Sequence, residues 1–340
     1  MLQIAQKFCT DGIVTSCKPY GGGLINATYL AETCRARYIL QKINKAVFKD
    51  PPRLMQNIEL VTRHMQSKNA QSLTLVPCAD GAMWFVDDNG DVWRMFNFIE
   101  HSLSIESTAS LKIMHASGTA FGDFINIFAD FDATKLAVTI PDFHNTPARY
   151  KQLHDAIAAD ALGRVAHVSR EIDFALARED FAPLLMNLQA SGDMPARVTH
   201  NDTKLGNVLF HEETGNPLCV IDLDTAMPGL AVTDFGDGIR SGAKTAAEDA
   251  FNLNNVNFSL PLYHAFRDGF LAACTTLNAC EIAHLPHGAK MMTLECGVRF
   301  LTDYLNGDVY FRTNRAAQNF DRCRTQFKLV HDMEQRWDKM

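Results

Sequence analysis

Residues Thr199 to Phe210 read Thr-His-Asn-Asp-Thr-Lys-Leu-Gly-Asn-Val-Leu-Phe, and Val220-Ile221-Asp222-Leu223-Asp224 follows soon after. No other stretch restricts what this chain can fold into so tightly. His200, Asp202, Lys204, Asn207 and Asp222 stand at fixed intervals around two apolar runs, Val208 to Phe210 and Leu218 to Leu223. The runs flank His211-Glu212-Glu213-Thr214-Gly215-Asn216-Pro217, a polar loop suited to a hairpin. Such a hairpin returns Asp222 close to Asn207. Each polar residue alone fits a surface turn rich in Asn and Asp. Set together beside apolar strands, they gather hard oxygen ligands of the kind that Mg²⁺ takes.

The chain of 340 residues is long for one core, so two lobes are expected. A composition 47% hydrophobic and 21% charged supports large cores and argues against disorder. The net charge of −7 disfavours a dedicated nucleic-acid binder, so no nucleic-acid partner is expected. No apolar run reaches the ~18 residues of a transmembrane helix, and the N-terminus lacks the pattern of a signal peptide, so no membrane partner is expected. The nine cysteines are odd in number, scattered from Cys9 to Cys323, and include no Cys-x-x-Cys pair. That usage fits reduced thiols and a cytoplasmic location, where the Asn26-Ala27-Thr28 sequon has no consequence.

Along the chain, Gly12 to Tyr20 and Asn26 to Thr33 alternate like strands around the turn Gly21-Gly22-Gly23, and Tyr38 to Ile43 reads as a buried strand. After Pro51-Pro52, Leu54, Ile58, Val61 and Met65 recur at helical spacing over 53–67. Strands are expected over Ser72–Cys78 and Met83–Ile99, the second folded at Asp87-Asp88-Asn89-Gly90. Residues 108–129, 147–190, 244–305 and 314–339 are largely helical in pattern. A hinge is expected near Phe98 to Ser102.

The order His-x-Asp, Asn five residues on, then a strand ending in Asp resembles the catalytic loop and metal-binding Asp of protein kinases. The order of three strands, one helix and two strands before it is that of a kinase small lobe. The segment after Asp222 departs from a protein kinase, since Leu-Asp-Thr replaces Phe-Gly and no Ala-Pro-Glu follows. Thr199–Phe210, Val220–Gly229 and Asp234-Phe235-Gly236-Asp237 together resemble the aminoglycoside phosphotransferase/choline kinase superfamily. Four further stretches resemble its N-acetylhexosamine 1-kinase group: Tyr38 to Asn44, Phe143 to Tyr150, Val298 to Leu305 and Asn319 to Gln326.

The resemblance implies an α+β, bilobal protein-kinase-like fold. Residues 1–99 would form a nucleotide-covering β-sheet N-lobe with one helix. Residues 100–340 would form a larger, mostly helical C-lobe with the catalytic loop, metal site and substrate pocket. It implies ATP and Mg²⁺ as cofactors and an amino sugar as partner, phosphorylated on its anomeric hydroxyl. Asp202 would be the base and Lys204 would stabilise charge on the transferred group. Asn207 and Asp222 would hold Mg²⁺, and Asp224 would contact a second metal or the substrate. His200 and Asp234 would brace the loop. Other alcohols, among them choline, homoserine, another sugar or an aminoglycoside, remain alternative acceptors, and a kinase-like binding module is the alternative of another class.

The nucleotide is expected against Gly21, Gly22, Gly23, Asn26, Thr28, Gln41 and Lys42. Where a protein kinase carries its phosphate-gripping Lys, strand alignment puts Gln41, with Lys42 pointing the other way. Asn57 or Glu59 stands on the following helix, and whether a pair exists is open. Relatives often read Gly-x-Gly-His-Ile-Asn-Asp-Thr where this chain has Leu24 for His and Ala27 for Asp, which places Leu24 at a sugar-facing position. Further sugar contacts are expected from His144, Arg149, Arg299, Tyr304 and Tyr310, with Asp224 beside them.

Overall fold

The computed structural model describes residues 1–21 and 25–340. Helix α1 (Leu2–Ala5) precedes β1 (Ser16–Pro19), β2 (Ala27–Glu32) and β3 (Arg37–Lys42). Then come α2 (Pro51–Ser67), β4 (Phe85–Val86) and β5 (Val92–Asn97). These five strands form one antiparallel sheet in the order β1-β2-β3-β5-β4. Helix α2 begins where Asp50 accepts from the Arg53 amide at 3.2 Å and Pro51-Pro52 fill the first turn. Its Leu54, Met55, Ile58, Val61 and Met65 are buried, the stripe that the helical spacing predicts.

The mostly helical remainder starts with β6 (Ser102–Ser104) and α3 (Leu111–Ile127). It continues with α4 (Thr146–Ala159), α5 (Ser169–Leu176), α6 (Leu184–Ala190), β7 (Arg197–Thr199), β8 (Val208–His211), β9 (Pro217–Val220) and β10 (Met227–Gly229). Helices α7 (Ala231–Gly242), α8 (Leu260–Ala273), α9 (Ala279–Ala283), α10 (Leu285–Leu305) and α11 (Gln318–Gln335) complete it. The fold is therefore bilobal and kinase-like, with a small antiparallel sheet over a helical body.

One apolar core runs from the buried face of α2, with Ile43, Phe48 and Phe96, into Phe121, Phe124, Val208, Phe235 and Phe266 of the body. Asn57 reinforces this joint: its amide nitrogen donates to the Ala137 and Ala226 carbonyls at 2.8 and 3.1 Å, and its oxygen accepts from the Ala137 amide at 2.8 Å. A second core lies between α4, α5, α10 and α11, around Tyr150, Leu294, Leu301 and Phe327. No helix among the described residues is long and apolar enough to cross a membrane. All nine cysteines are unpaired.

Four expectations change. Ser72–Cys78 is an extended segment bonded to β5 only through the Val76 amide to Met95 and the Asn97 amide to Thr74, both at 2.9 Å. The next amide in line to face β5, that of Cys78, donates to the Ala82 carbonyl at 2.7 Å instead. The helical stretch 147–190 is broken where Asp160 and Gly163 take left-handed backbones, at φ +36° and +63°. Residues 244–259 are irregular, tied by a bridge between Lys244 and Phe258, because Ser259 and Pro261 open a new helix at α8. Helix α7 arises outside every stretch read as helical. It crosses α10 where Gly236 faces Gly288 so closely that a Cβ on either would strike the other helix's backbone.

Candidate functional site

Strand β7 leads into the segment His200–Asn207, and β10 runs antiparallel beside β7 with Met227 opposite Thr199. The hairpin of β8 and β9 pairs Val208 with Val220 and carries the Ile221 amide to the Asn207 carbonyl at 2.9 Å. Asp222 is thereby brought beside Asn207. Asn201 and Asp222 both adopt left-handed backbones, at φ +64° and +62°, uncommon for residues with a Cβ. Such conformations persist where the surroundings over-determine them.

The surroundings here are a web of bonds. Asp234 on the first turn of α7 accepts from the His200 and Asn201 amides, both at 2.7 Å. Burial pushes its carboxyl up to about 7, against the pull of those two donors. The wholly buried His200 donates from Nε2 to the Ile221 carbonyl at 2.8 Å and accepts from the Asp202 amide on Nδ1 at 3.2 Å. Burial holds its imidazole below the usual histidine range, which suits this neutral bridging form. Thr225 donates to the His200 carbonyl at 2.7 Å and closes the loop from the other side.

Asp202 projects from this frame. Its Oδ2 accepts from Lys204 Nζ at 2.9 Å and Asn207 Nδ2 at 3.0 Å, while Oδ1 has no protein partner among the described residues. Burial alone would raise the Asp202 carboxyl, but Lys204 outweighs it and the group stays below the ordinary carboxylate range. Burial likewise opposes the Lys204 charge, and Asp202 and Asp222 more than offset it. Asp222 is pushed up to about 7 by burial and by the neighbouring Asp224 and Asp202 charges. These are crowded carboxylates short of positive charge.

A divalent cation would supply that charge. Asn207 spends its nitrogen on Asp202, also reaching the Asp202 carbonyl at 2.8 Å, which leaves its amide oxygen without a hydrogen-bond partner among the described residues. No group of three His, Cys, Asp or Glu side chains is placed to hold a metal among the described residues. The pair Asn207 and Asp222 nevertheless fits Mg²⁺, which usually keeps waters and takes one or two carboxylates plus substrate phosphates.

Asp224, expected at a metal or substrate, is committed elsewhere. Its Oδ1 pairs with the Arg94 guanidinium, and its Oδ2 accepts from Asn26 at 2.5 Å. The two side chains of the ion pair are 2% and 3% exposed, so neither charge reaches solvent. Gln41 accepts from Arg94 Nε and Nη2 at 3.0 and 2.8 Å and donates to Thr28 at 3.2 Å. Asn26 also accepts from the Asn44 amide at 3.0 Å. Asn26, Thr28 and Gln41, all expected at the nucleotide, thus form a polar seam around Arg94 and Asp224. Lys42 points away and pairs with Asp91 at the surface, and Glu59 turns to Arg63 at 3.9 Å, so neither builds a lysine–glutamate pair. Gly21 lies in a turn at φ +70°, and Gly22, Gly23 and Leu24 lie outside the described residues.

The expected sugar contacts divide. His144 is bound on both ring nitrogens, by Glu295 at 3.3 Å and the Asn201 carbonyl at 3.0 Å. Burial opposes its charge, but Glu295 wins and its pKa rises above the usual histidine value. No ring nitrogen is left for a ligand, and His144 ties α10 to the segment around Asn201. Tyr304 stacks on Phe320 at 5.3 Å under Arg164, while Tyr310 is exposed. Arg299 makes no hydrogen bond or ion pair among the described residues and lies 5.3–5.8 Å from the rings of Phe143, Tyr310 and Phe311. Arg149 donates to the Asp142 and Phe143 carbonyls at 2.7 and 2.9 Å.

Arg94 is the residue that sequence reading passes over. Its signal is local: one arginine inside Val92-Trp93-Arg94-Met95-Phe96, a run buried throughout. A fully buried arginine requires a partner.

Residues 16–268 match the model of the APH family, described as a phosphotransferase enzyme family. Among solved structures, a microcompartment-associated aminopropanol kinase aligns at a TM-score of 0.62 and 16% identity, covering 99% of this chain and 98% of that one. The amicoumacin kinase hAmiN in complex with AMP-PNP, Ca²⁺ and Ami aligns at 0.67 and 13%, covering 97% and 92%. A choline kinase from Cryptosporidium parvum Iowa II aligns at 0.58 and 14%, covering 95% and 90%. Since the matched family segment spans most of its length and includes every residue of the Asp202 cluster, the chain belongs to the APH phosphotransferase enzyme family.

Proposed function

We propose that this protein is an ATP-dependent kinase of a small alcohol, and that its acceptor is the anomeric hydroxyl of an N-acetylhexosamine. The observation that carries the reading is Asp202: one carboxylate oxygen is fixed by Lys204 and Asn207, and the other is uncommitted. That oxygen accepts the proton of the acceptor hydroxyl as the hydroxyl oxygen attacks the γ-phosphorus and the bond to the β–γ bridging oxygen breaks. Lys204, beside Asp202, stabilises charge on the transferred group. Asn207 and Asp222 would hold Mg²⁺, which would neutralise the nucleotide phosphates. Residues 1–99 cover the nucleotide and residues 100–340 carry the acceptor. The nine unpaired cysteines support a reducing, cytoplasmic setting.

The sugar reading draws on the four outer stretches, and on Arg299 with its unspent donors beside three aromatic rings. It is tested by ADP release with Mg²⁺ and a panel of N-acetylglucosamine, N-acetylgalactosamine, plain hexoses, choline, homoserine and an aminoglycoside. Turnover is expected with an N-acetylhexosamine; turnover with choline alone would keep the kinase and remove the sugar.

Asp222→Ala is expected to weaken Mg²⁺-dependent nucleotide binding by tenfold or more, about the loss of one charged ligand contact. Titrating nucleotide with and without Mg²⁺ checks this. An unaltered Mg²⁺ dependence would place the metal elsewhere.

A further inference from the structure

A nucleotide needs groups that hold its sugar, and three of the residues expected to meet it are spent. Asn26, Thr28 and Gln41 are tied into the seam around Arg94 and Asp224. The helical body offers another group. Residues 98–101 link β5 to β6, and β6 pairs antiparallel with β8, Ser102 opposite His211 and Ser104 opposite Leu209. Side chains alternate along a strand. Val208 and Phe210 turn into the core and are wholly buried, so Leu209 turns to the other face, where it is half-buried. Ser104, directly across from Leu209, shares that face.

Two residues past Ser104, Glu106 comes level with Gly206, the residue before Asn207. Its carboxylate lies flat on the backbone there: Oε1 and Oε2 stand 2.9 and 3.0 Å from where a Cβ on Gly206 would lie, and Cδ 3.1 Å. Any side chain at that position would push the carboxylate away, so glycine is what lets it settle against the chain. Ser104 Oγ donates to the Gly206 carbonyl at 2.8 Å and clamps the two segments together. Glu106 is nevertheless exposed, and neither oxygen has a hydrogen-bond or ion-pair partner among the described residues. A carboxylate held in place and left unpaired is available to a ligand.

The ligand follows from where Glu106 sits. The proposed metal ligands Asn207 and Asp222 fix the phosphate end of the nucleotide, and the acceptor must approach the γ-phosphorus in line from the Asp202 side. The rest of the nucleotide therefore extends away from Asp202, along β8 toward the link between the lobes. Leu209 gives it an apolar floor, and Glu106 stands at its edge, one residue from the metal end. The part of a nucleotide next to its phosphates is the ribose, whose two neighbouring hydroxyls are donors that a carboxylate with two free oxygens accepts.

We infer that Glu106 binds the ribose hydroxyls of the nucleotide, and so makes the protein select ribonucleoside triphosphates over those that lack these hydroxyls. The inference rests on the ATP-dependent kinase reading and deepens it, by naming a group that grips the nucleotide from the helical body rather than from the sheet.

The test is calorimetric titration of the wild type, Glu106→Ala and Glu106→Gln with ATP and with 2′,3′-dideoxy-ATP, each in the presence of Mg²⁺. The wild type is expected to bind ATP about tenfold more tightly than the dideoxy nucleotide, the worth of hydrogen bonds to a charged acceptor. Glu106→Ala is expected to bind ATP about tenfold more weakly and the dideoxy nucleotide as the wild type does, so the preference disappears. Glu106→Gln, which keeps a neutral acceptor, is expected to fall between. Because Glu106 is exposed and unbonded, the melting temperature of both variants is expected to match the wild type. A wild type that binds both nucleotides alike would overturn the inference and leave the kinase reading in place. Equal losses for both nucleotides in Glu106→Ala would also overturn it, by showing that the carboxylate serves the metal or the phosphates. A wild type that binds neither nucleotide would bring down the kinase reading and the inference with it.

Discussion

Asp202→Asn is expected to lower turnover by about 10³-fold, within the 10²–10⁴ that a positioned general base contributes. The substitution keeps the shape of the side chain and its contacts with Lys204 and Asn207, so the loop retains its form. It removes the charge that accepts the hydroxyl proton. Nucleotide affinity is expected to stay within a factor of about two, because the proposed metal ligands are Asn207 and Asp222 and neither is touched. Rapid-quench or coupled ADP assays read the first quantity and nucleotide titration the second. A variant that keeps nearly full turnover would show that Asp202 is not the base.

The second large effect concerns stability. Arg94→Leu leaves the Asp224 carboxylate buried without its guanidinium, with Asn26 as its remaining side-chain donor. Breaking a buried pair by removing one partner costs about 3–5 kcal/mol, mostly the penalty of the charge left behind. For a domain of this size that lowers the melting temperature by roughly 6–15 °C. The double variant Arg94→Leu with Asp224→Leu is expected to recover much of the loss, since an apolar pair replaces an ion pair at little cost. Gln41 and Asn26 lose partners in both variants, so recovery is partial. A single variant that melts within about two degrees of the wild type would show that the seam does not hold the lobes.

Legibility in the sequence follows the range of the interactions involved. Helix α2 is readable because Pro51-Pro52, the Asp50 cap and the Leu54, Ile58, Val61, Met65 stripe all act within a few turns. The cluster of His200, Asp202, Lys204, Asn207 and Asp222 is readable because one short hairpin closes it. The partners of Asp224 are not, since Arg94 and Asn26 lie 130 and 198 residues away. A carboxylate two residues from Asp222 looks equally suited to metal, substrate or arginine until the sheet is folded over it. His144 is misread for the same reason: Glu295, which raises its pKa, is 151 residues on. The strand expected at Ser72–Cys78 stops short because the Cys78 amide, next in line to face β5, turns to the Ala82 carbonyl, a contact that the alternating pattern does not reveal.

Nothing in the spacing of Asp234-Phe235-Gly236-Asp237 tells which carboxylate accepts from the His200 and Asn201 amides, and only the folded chain shows that it is Asp234.

The most direct test of the whole account is the phosphorus NMR spectrum of the wild-type protein incubated with ATP, Mg²⁺ and an N-acetylhexosamine. The account predicts that the γ-phosphate signal is replaced by ADP and by a monoester resonance coupled to the anomeric proton of the sugar. ADP accompanied only by inorganic phosphate, or ATP left intact, would contradict it.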